Sequence, residues 1–101
     1  MPSLYFWLGF RFFFFSHEHE PVHVHVEIEN RQTVFELIVV NGIVTSIVVR
    51  SVAGYDMLSQ KEQKQAMQLI KKYKKDILQK WIDFFVLNKP VKTKNIRTKT
   101  L

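Results

Sequence analysis

All four histidines of the 101-residue chain, His17, His19, His23 and His25, fall within residues 16–30, SHEHEPVHVHVEIEN, among Glu18, Glu20, Glu27 and Glu29. His23 and His25 are two apart in an alternating segment, so on a strand their imidazoles leave the same face about 6–7 Å apart at the backbone. Three readings fit this pattern. Each ring could reach a common ion at about 2.0–2.1 Å, with Glu27, His17 or His19 completing three protein ligands around zinc or manganese and one position left open. Without a metal, one neutral and one charged imidazole could act as base and acid on a phosphodiester, with Arg11 or nearby lysines stabilising the developing negative charge. The third reading is a polar strand face whose histidines bond to Glu18, Glu20, Glu27 or Glu29 and do nothing else.

The elements that must hold these residues are mostly strands. Leu4–Trp7 and Phe10–Phe15 are aromatic-rich without a helical period and break at Gly9. Pro21 ends a polar loop. Beyond it Val22, Val24, Val26 and Ile28 point one way, and His23, His25, Glu27 and Glu29 the other. TVFELIVV and IVTSIVVR flank Asn41-Gly42, the pair that a two-residue type I′ turn prefers, which predicts a hairpin from about Thr33 to Arg50. Pairing Val40 with Ile43 puts Phe35, Leu37, Val39, Val44 and Val48 on one face and Val34, Ile38, Ile43, Ile47 and Val49 on the other. Glu36 then lies with Thr45 and Ile47, where a buried carboxylate needs a partner.

A helix follows, opened by the capping-box spacing of Ser59 and Glu62. Ala66, Ile70, Tyr73, Ile77, Trp81 and Phe84 recur every three or four residues as its apolar stripe, and Asn88 to Pro90 should stop it. The expected architecture is α+β: a curved antiparallel sheet of about five strands packed on one long C-terminal helix. Residues 1–88 form a single domain, with the sheet over 4–50 and the helix over 60–86, and residues 89–101 form a basic tail or a short last strand. Both hairpin faces are apolar and one helix covers only one, so the other must be covered by the aromatic strands, a homodimer mate or a partner protein.

Composition narrows the function classes. The chain has no cysteine, which excludes disulfides, thiolate metal sites and a cysteine nucleophile. The apolar run LYFWLGFRFFFF carries Arg11, lacks a preceding basic segment and is far shorter than the roughly 20 residues that span a bilayer, so no membrane association and a cytoplasmic protein are expected. Residues 61–101 hold eleven Lys and Arg97 against three acids, a net of +9, whereas residues 1–60 carry a net of −3. That split suits an RNA or acidic protein partner, or else a lysine-rich helix face in solvent. Trp81 and Tyr73, on the apolar stripe, are core residues rather than base-stacking platforms.

FRFFFFSHEHEPVHVHVE and ILQKWIDFF together resemble a family of small bacterial proteins, domain of unknown function 4160, over about Phe10 to Phe85. The positions matching its motifs are Ser16, Glu18, Pro21, His23, His25 and Trp81, although Val22 stands where the family commonly has a second proline. Some members are described as the toxin of a type II toxin and antitoxin pair. The resemblance therefore implies a toxin-like protein with an antitoxin-like partner, and the basic helix and tail suggest a target in RNA or the translation machinery. His23 and His25 are the expected active positions, with Glu27 and Arg11 in support. A metal-binding protein or small metal-dependent hydrolase using His23, His25, His17 and His19, and a non-catalytic dimeric interaction module, are the alternatives.

Overall fold

The structure, a computed structural model, describes residues 2–15 and 21–101. Five strands follow one another as an antiparallel meander: β1 (Ser3–Trp7), β2 (Phe10–Phe13), β3 (His23–Ile28), β4 (Arg31–Val40) and β5 (Ile43–Ser51). Two-residue turns join three of the pairs. Asn41 and Gly42 have φ of 52° and 78°, as the sequence of that turn requires, and Leu8-Gly9 repeats the arrangement with φ of 52° and 84°. Glu29, at φ 54°, opens the turn between β3 and β4.

The sheet order is β5-β4-β3-β2-β1-β6, where β6 (Lys94–Asn95) lies parallel to β1. The expected five strands become six because the basic tail pairs with an edge. Ile96 N–H donates to Phe6 O at 2.9 Å, Thr93 Oγ1 donates to Ser3 O at 2.7 Å, and Trp7 Nε1 donates to Thr98 O at 2.6 Å. These bonds close off a strand edge that would otherwise offer its backbone to other chains. Two residues without apolar alternation leave no strand signature in a sequence.

Helix α1 (Gln60–Trp81) starts at the expected capping box. Ser59 Oγ accepts from Glu62 N–H at 3.2 Å, and Glu62 Oε1 accepts from Ser59 N–H at 2.8 Å. Glu62 also pairs with Arg31, the first residue of β4, so one carboxylate both caps the helix and ties it to the sheet. The helix continues as a π-helical turn, Ile82–Val86, in which Leu87 N–H donates to Ile82 O at 3.0 Å. Asn88 then takes a left-handed φ of 53° and Lys89 N–H donates to Asp83 O at 2.7 Å, which ends the helix before Pro90. No helix among the described residues is long and apolar enough to cross a membrane.

The core lies between α1 and one face of an open sheet. Tyr5, Phe12, Val24, Val26, Phe35 and Leu37 meet Ala66, Leu69, Ile70, Ile77 and Trp81, all buried. Tyr5 is fully enclosed, and its hydroxyl donates to Asp76 on the helix. Burial first, and the nearby Asp76 carboxylate second, hold this phenol well above the usual tyrosine range.

The β4–β5 hairpin departs from the expected register in one place. Val40 does pair with Ile43, and Val39 with Val44, but Ile38 pairs with Ser46, leaving Thr45 as a bulge. Beyond it Ile47 and Val49 stand opposite Leu37 and Phe35 on the helix side, while Val48 stands opposite Glu36 on the other. The expected placements of Val48, Ile47 and Val49 are thus exchanged, because one extra residue reverses the alternation. The far face is in consequence mixed rather than apolar, with Glu36, Ser46 and Arg50 beside Val34, Ile38 and Val48.

Arg31, and then the backbone of Ser59, hold the Glu62 carboxyl below the usual glutamate range. A depressed folded-state pKa contributes stability that is complete above the unfolded value, about 4.3, and is lost as pH falls through the folded one. Glu62→Ala should therefore destabilise the protein by about 1 kcal/mol at pH 7, in the range of losing a helix cap. The difference from wild type should narrow between about pH 5 and pH 3, a window set by the usual glutamate value. Urea denaturation of both proteins across that window checks this, and a pH-independent difference would show that the charge of Glu62 plays no part.

Candidate functional site

The histidine side chains leave the sheet on the face opposite the core, where only Trp81, the last residue of α1, reaches His23 among the described helix residues. On this face His23 stands opposite Glu36, His25 stands between Phe13 and Val34, and Glu27 stands between Arg11 and Gln32. The alternation read from the sequence therefore holds, and the face has three rows running across the strands. The motif positions Ser16 and Glu18, and the further histidines His17 and His19, lie outside the described residues.

The two strand histidines have different surroundings. His25 is only 3 % exposed. Its ring stacks on Phe13 at 5.3 Å between centroids and meets the edge of Phe15 at 4.3 Å, and its Nδ1–H donates to Oε1 of buried Gln32 at 2.9 Å. His23, 8 % exposed, donates Nδ1–H to Pro21 O at 2.6 Å and packs against Trp81 at 5.2 Å. Because a carbonyl oxygen can only accept, Nδ1 of each ring carries a proton, which leaves Nε2 as the nitrogen able to accept one when the ring is neutral. The ring centres are 5.3 Å apart.

His23 also lines an open groove of about 440 Å³ with Pro21, Val34, Glu36, Arg50 and Ser51. Arg50 Nε donates to Glu36 Oε1 at 2.6 Å, which supplies the partner that a carboxylate at this position requires. The Glu36 side chain is largely covered, whereas that of Arg50 is 59 % exposed, so the guanidinium is anchored through Nε and presented to the groove. Nothing in the local sequence couples these two residues. They meet because the bulge at Thr45 turns Val48 and Arg50 to the side of Glu36.

Arg11 and Glu27 sit apart from this groove. Arg11 Nη1 is 3.7 Å from Glu27 Oε1, its Nε donates to Ser3 Oγ at 2.9 Å, and its guanidinium lies 4.2 Å from the Phe13 ring centre. The structure thus brings the two expected supporting residues to each other, one row beyond His25, and places Glu36 and Arg50 beside His23. Trp81 is a core residue as expected, packed on Phe14 at 5.2 Å and Phe85 at 4.2 Å, and it touches His23 as well. Among the described residues no group of three His, Cys, Asp or Glu side chains could hold a metal ion.

The ion pair gives a test of this geometry. Arg50→Ala leaves Glu36 in a largely covered place without its guanidinium and should cost about 1–3 kcal/mol. Glu36→Leu/Arg50→Leu removes both charges and should recover most of that loss. Thermal denaturation of the two variants checks this, and equal stability would mean that Glu36 does not need Arg50.

No curated protein and no solved structure shows a significant match to this chain. The model of one family, described as Domain of unknown function (DUF4160), matches residues 9–82, a span running from the turn before β2 to the residue after Trp81. That span is well over half of the sequence and includes the histidine strand, the hairpin and helix α1, and on this ground the chain belongs to the DUF4160 family.

Proposed function

We propose that this chain is the toxin-like component of a two-protein module and that His23 acts as a proton-transfer group on RNA. The observation that carries the chemistry is the groove in which a histidine with its proton fixed on Nδ1 meets an anchored, exposed guanidinium. An arginine held through Nε has further N–H donors for a phosphate. His23 Nε2 takes the proton of a ribose 2′-hydroxyl as that oxygen bonds to the adjacent phosphorus. The P–O5′ bond breaks, and the leaving oxygen takes a proton from solvent. Arg50 stabilises the charge gathering on the phosphoryl oxygens. His25, enclosed by Phe13, Phe15 and Gln32, supports the strand. The role in a two-protein module rests on the family resemblance.

Tightly induced expression in a bacterial host tests both parts. Wild type should arrest growth and shorten the host RNA, while His23→Ala, at equal soluble level, should permit growth. The purified variant should cleave RNA about 10²–10⁴-fold more slowly, the usual contribution of a general acid or base. Normal growth with wild-type protein removes the toxin reading in that host. Undiminished cleavage by His23→Ala removes the histidine from the chemistry.

One observation favours a second reading. Both Nδ1 atoms meet carbonyl-type oxygens, the arrangement that metal-bound imidazoles show on their other ring nitrogen. A ring bound to zinc through nitrogen has its centre about 3.2 Å from the ion, so centres 5.3 Å apart suit a near-tetrahedral pair. The remaining protein ligand would have to come from His17 or His19, as the sequence allows. Zinc titration of untagged protein should show one equivalent bound in wild type and at least tenfold weaker binding in His23→Ala. Binding unchanged by His23→Ala and by His25→Ala would exclude this site.

A further inference from the structure

The lysine-rich side of α1 forms a continuous groove with the free edge of the sheet. Among the described residues β5 pairs only with β4, so one row of its backbone N–H and C=O groups has no neighbouring strand. Three adjoining hollows, of about 490, 190 and 290 Å³, run between this edge and the helix. The first two share Lys71, and the second and third share Lys74 and Val44, so they form one channel along the length of β5. Lys64, Lys71, Lys74 and Lys75 are its charged side chains, and no acid lines it. Met67 and Leu78 add apolar surface on the helix side.

We infer that this channel is a docking site for an acidic, extended segment of a partner protein, which adds to β5 as a seventh strand. Each feature selects part of that occupant. The open strand edge requires an extended backbone to complete its hydrogen bonds, the alternating β5 surface offers seats to every second side chain, and the lysine wall requires carboxylates. The bulge at Thr45 interrupts the edge, so regular pairing falls on Ser46–Ser51, about six residues, beside Lys64, Lys71 and Lys74, while Lys74 and Lys75 also face Gly42, Ile43 and Val44 beyond the bulge. A second copy of the chain fits poorly, because joining two β5 edges would bring two lysine walls together. RNA is the weaker fit too, since the lining holds no arginine and no aromatic ring on which bases could stack. The site adjoins the histidine groove, which Arg50 and Ser51 of the same strand also line, but its lysine wall lies on the helix side, whereas the Arg50 side chain lies on the side of Glu36, and the inference stands whether or not His23 is catalytic.

The probe is a fluorescein-labelled ten-residue peptide alternating glutamate with valine or threonine. Controls are the same peptide with lysine for glutamate, and decauridylate. In fluorescence anisotropy with the full chain, the acidic peptide should bind at least tenfold more tightly than the lysine peptide, with affinity falling as salt rises. Amide hydrogen exchange should slow within Ser46–Ser51 when the acidic peptide is bound. Lys71→Glu/Lys74→Glu, at exposed and half-buried positions away from the core, should abolish the preference while leaving the melting temperature within a few degrees of wild type. If that variant does not fold, adding 0.5 M salt to the wild type should remove the preference instead. Equal binding of the two peptides, binding without protection of β5, tighter binding of decauridylate, or self-association of the chain through β5 would each overturn the proposal.

Discussion

Helix α1 can cover only one face of the sheet, so every strand position is committed either to the core or to the histidine side. This division is the constraint on which the rest depends. On the core side it gathers Tyr5, Phe12, Val24, Val26, Phe35 and Leu37 under the helix. On the other side the alternation leaves His23, His25 and Glu27 in one column, opposite Glu36, Val34 and Gln32 on β4 and, for the last two, beside Phe13 and Arg11 on β2. A single bulge at Thr45 keeps the division consistent across the last strand, because without it Ile47 and Val49 would leave the core as Val48 entered it. The same bulge brings Arg50 to Glu36, so the composition of the His23 groove and the integrity of the core have one origin.

Most of the fold was legible because its signals are local. The alternation of Val22 to Ile28, the Asn41-Gly42 turn, the Ser59 and Glu62 box and the stripe from Ala66 to Trp81 each follow from neighbouring residues. What could not be read depends on distant partners. Whether the tail forms the short last strand or a free arm depends on the open edge that β1 offers to Lys94–Asn95, and Leu8 and Glu29 take a left-handed backbone at turn positions where only the following Gly9 or Asn30 is a local sign. The site divides in the same way. Histidines two apart on a strand were certain to share a face, but what surrounds each ring was not in the sequence. His25 is enclosed by Phe13, Phe15 and Gln32, and His23 opens on Glu36 and Arg50. Glu36 stood out as a carboxylate among apolar residues, yet its partner lies fourteen residues away across a hairpin whose register depends on the bulge.

Charge is distributed according to the same division. The lysines of α1 are on the outside of the layer that packs on the core face, while the histidine groove opens on the opposite face of the sheet. A polyanion bound along the helix would therefore not reach His23 without passing round the sheet. The basic excess of residues 61–101 and the histidine chemistry are better treated as two surfaces with separate tasks than as one nucleic-acid track. Nearest to the histidine side is the C-terminal end of α1, where Trp81 touches both the core and His23. A shift of this helix end would alter the groove directly, since Trp81 forms part of the packing that orients the imidazole.

The two chemical readings of the histidine strand compete for one atom. Proton transfer requires the Nε2 lone pair of His23 to be available to substrate, whereas metal binding occupies that lone pair permanently. The carbonyl of Pro21 favours either role equally, because all it does is fix the proton on Nδ1 and aim the other nitrogen. What separates them is the rest of the groove. Arg50, exposed beside His23, keeps further N–H donors for an anion, and its pairing with Glu36 occupies the carboxylate opposite His23 on β4. Those donors are what supports the proposed anionic substrate at His23. A metal at the same nitrogen would need a further protein ligand, and among the described residues no group of three His, Cys, Asp or Glu side chains supplies it.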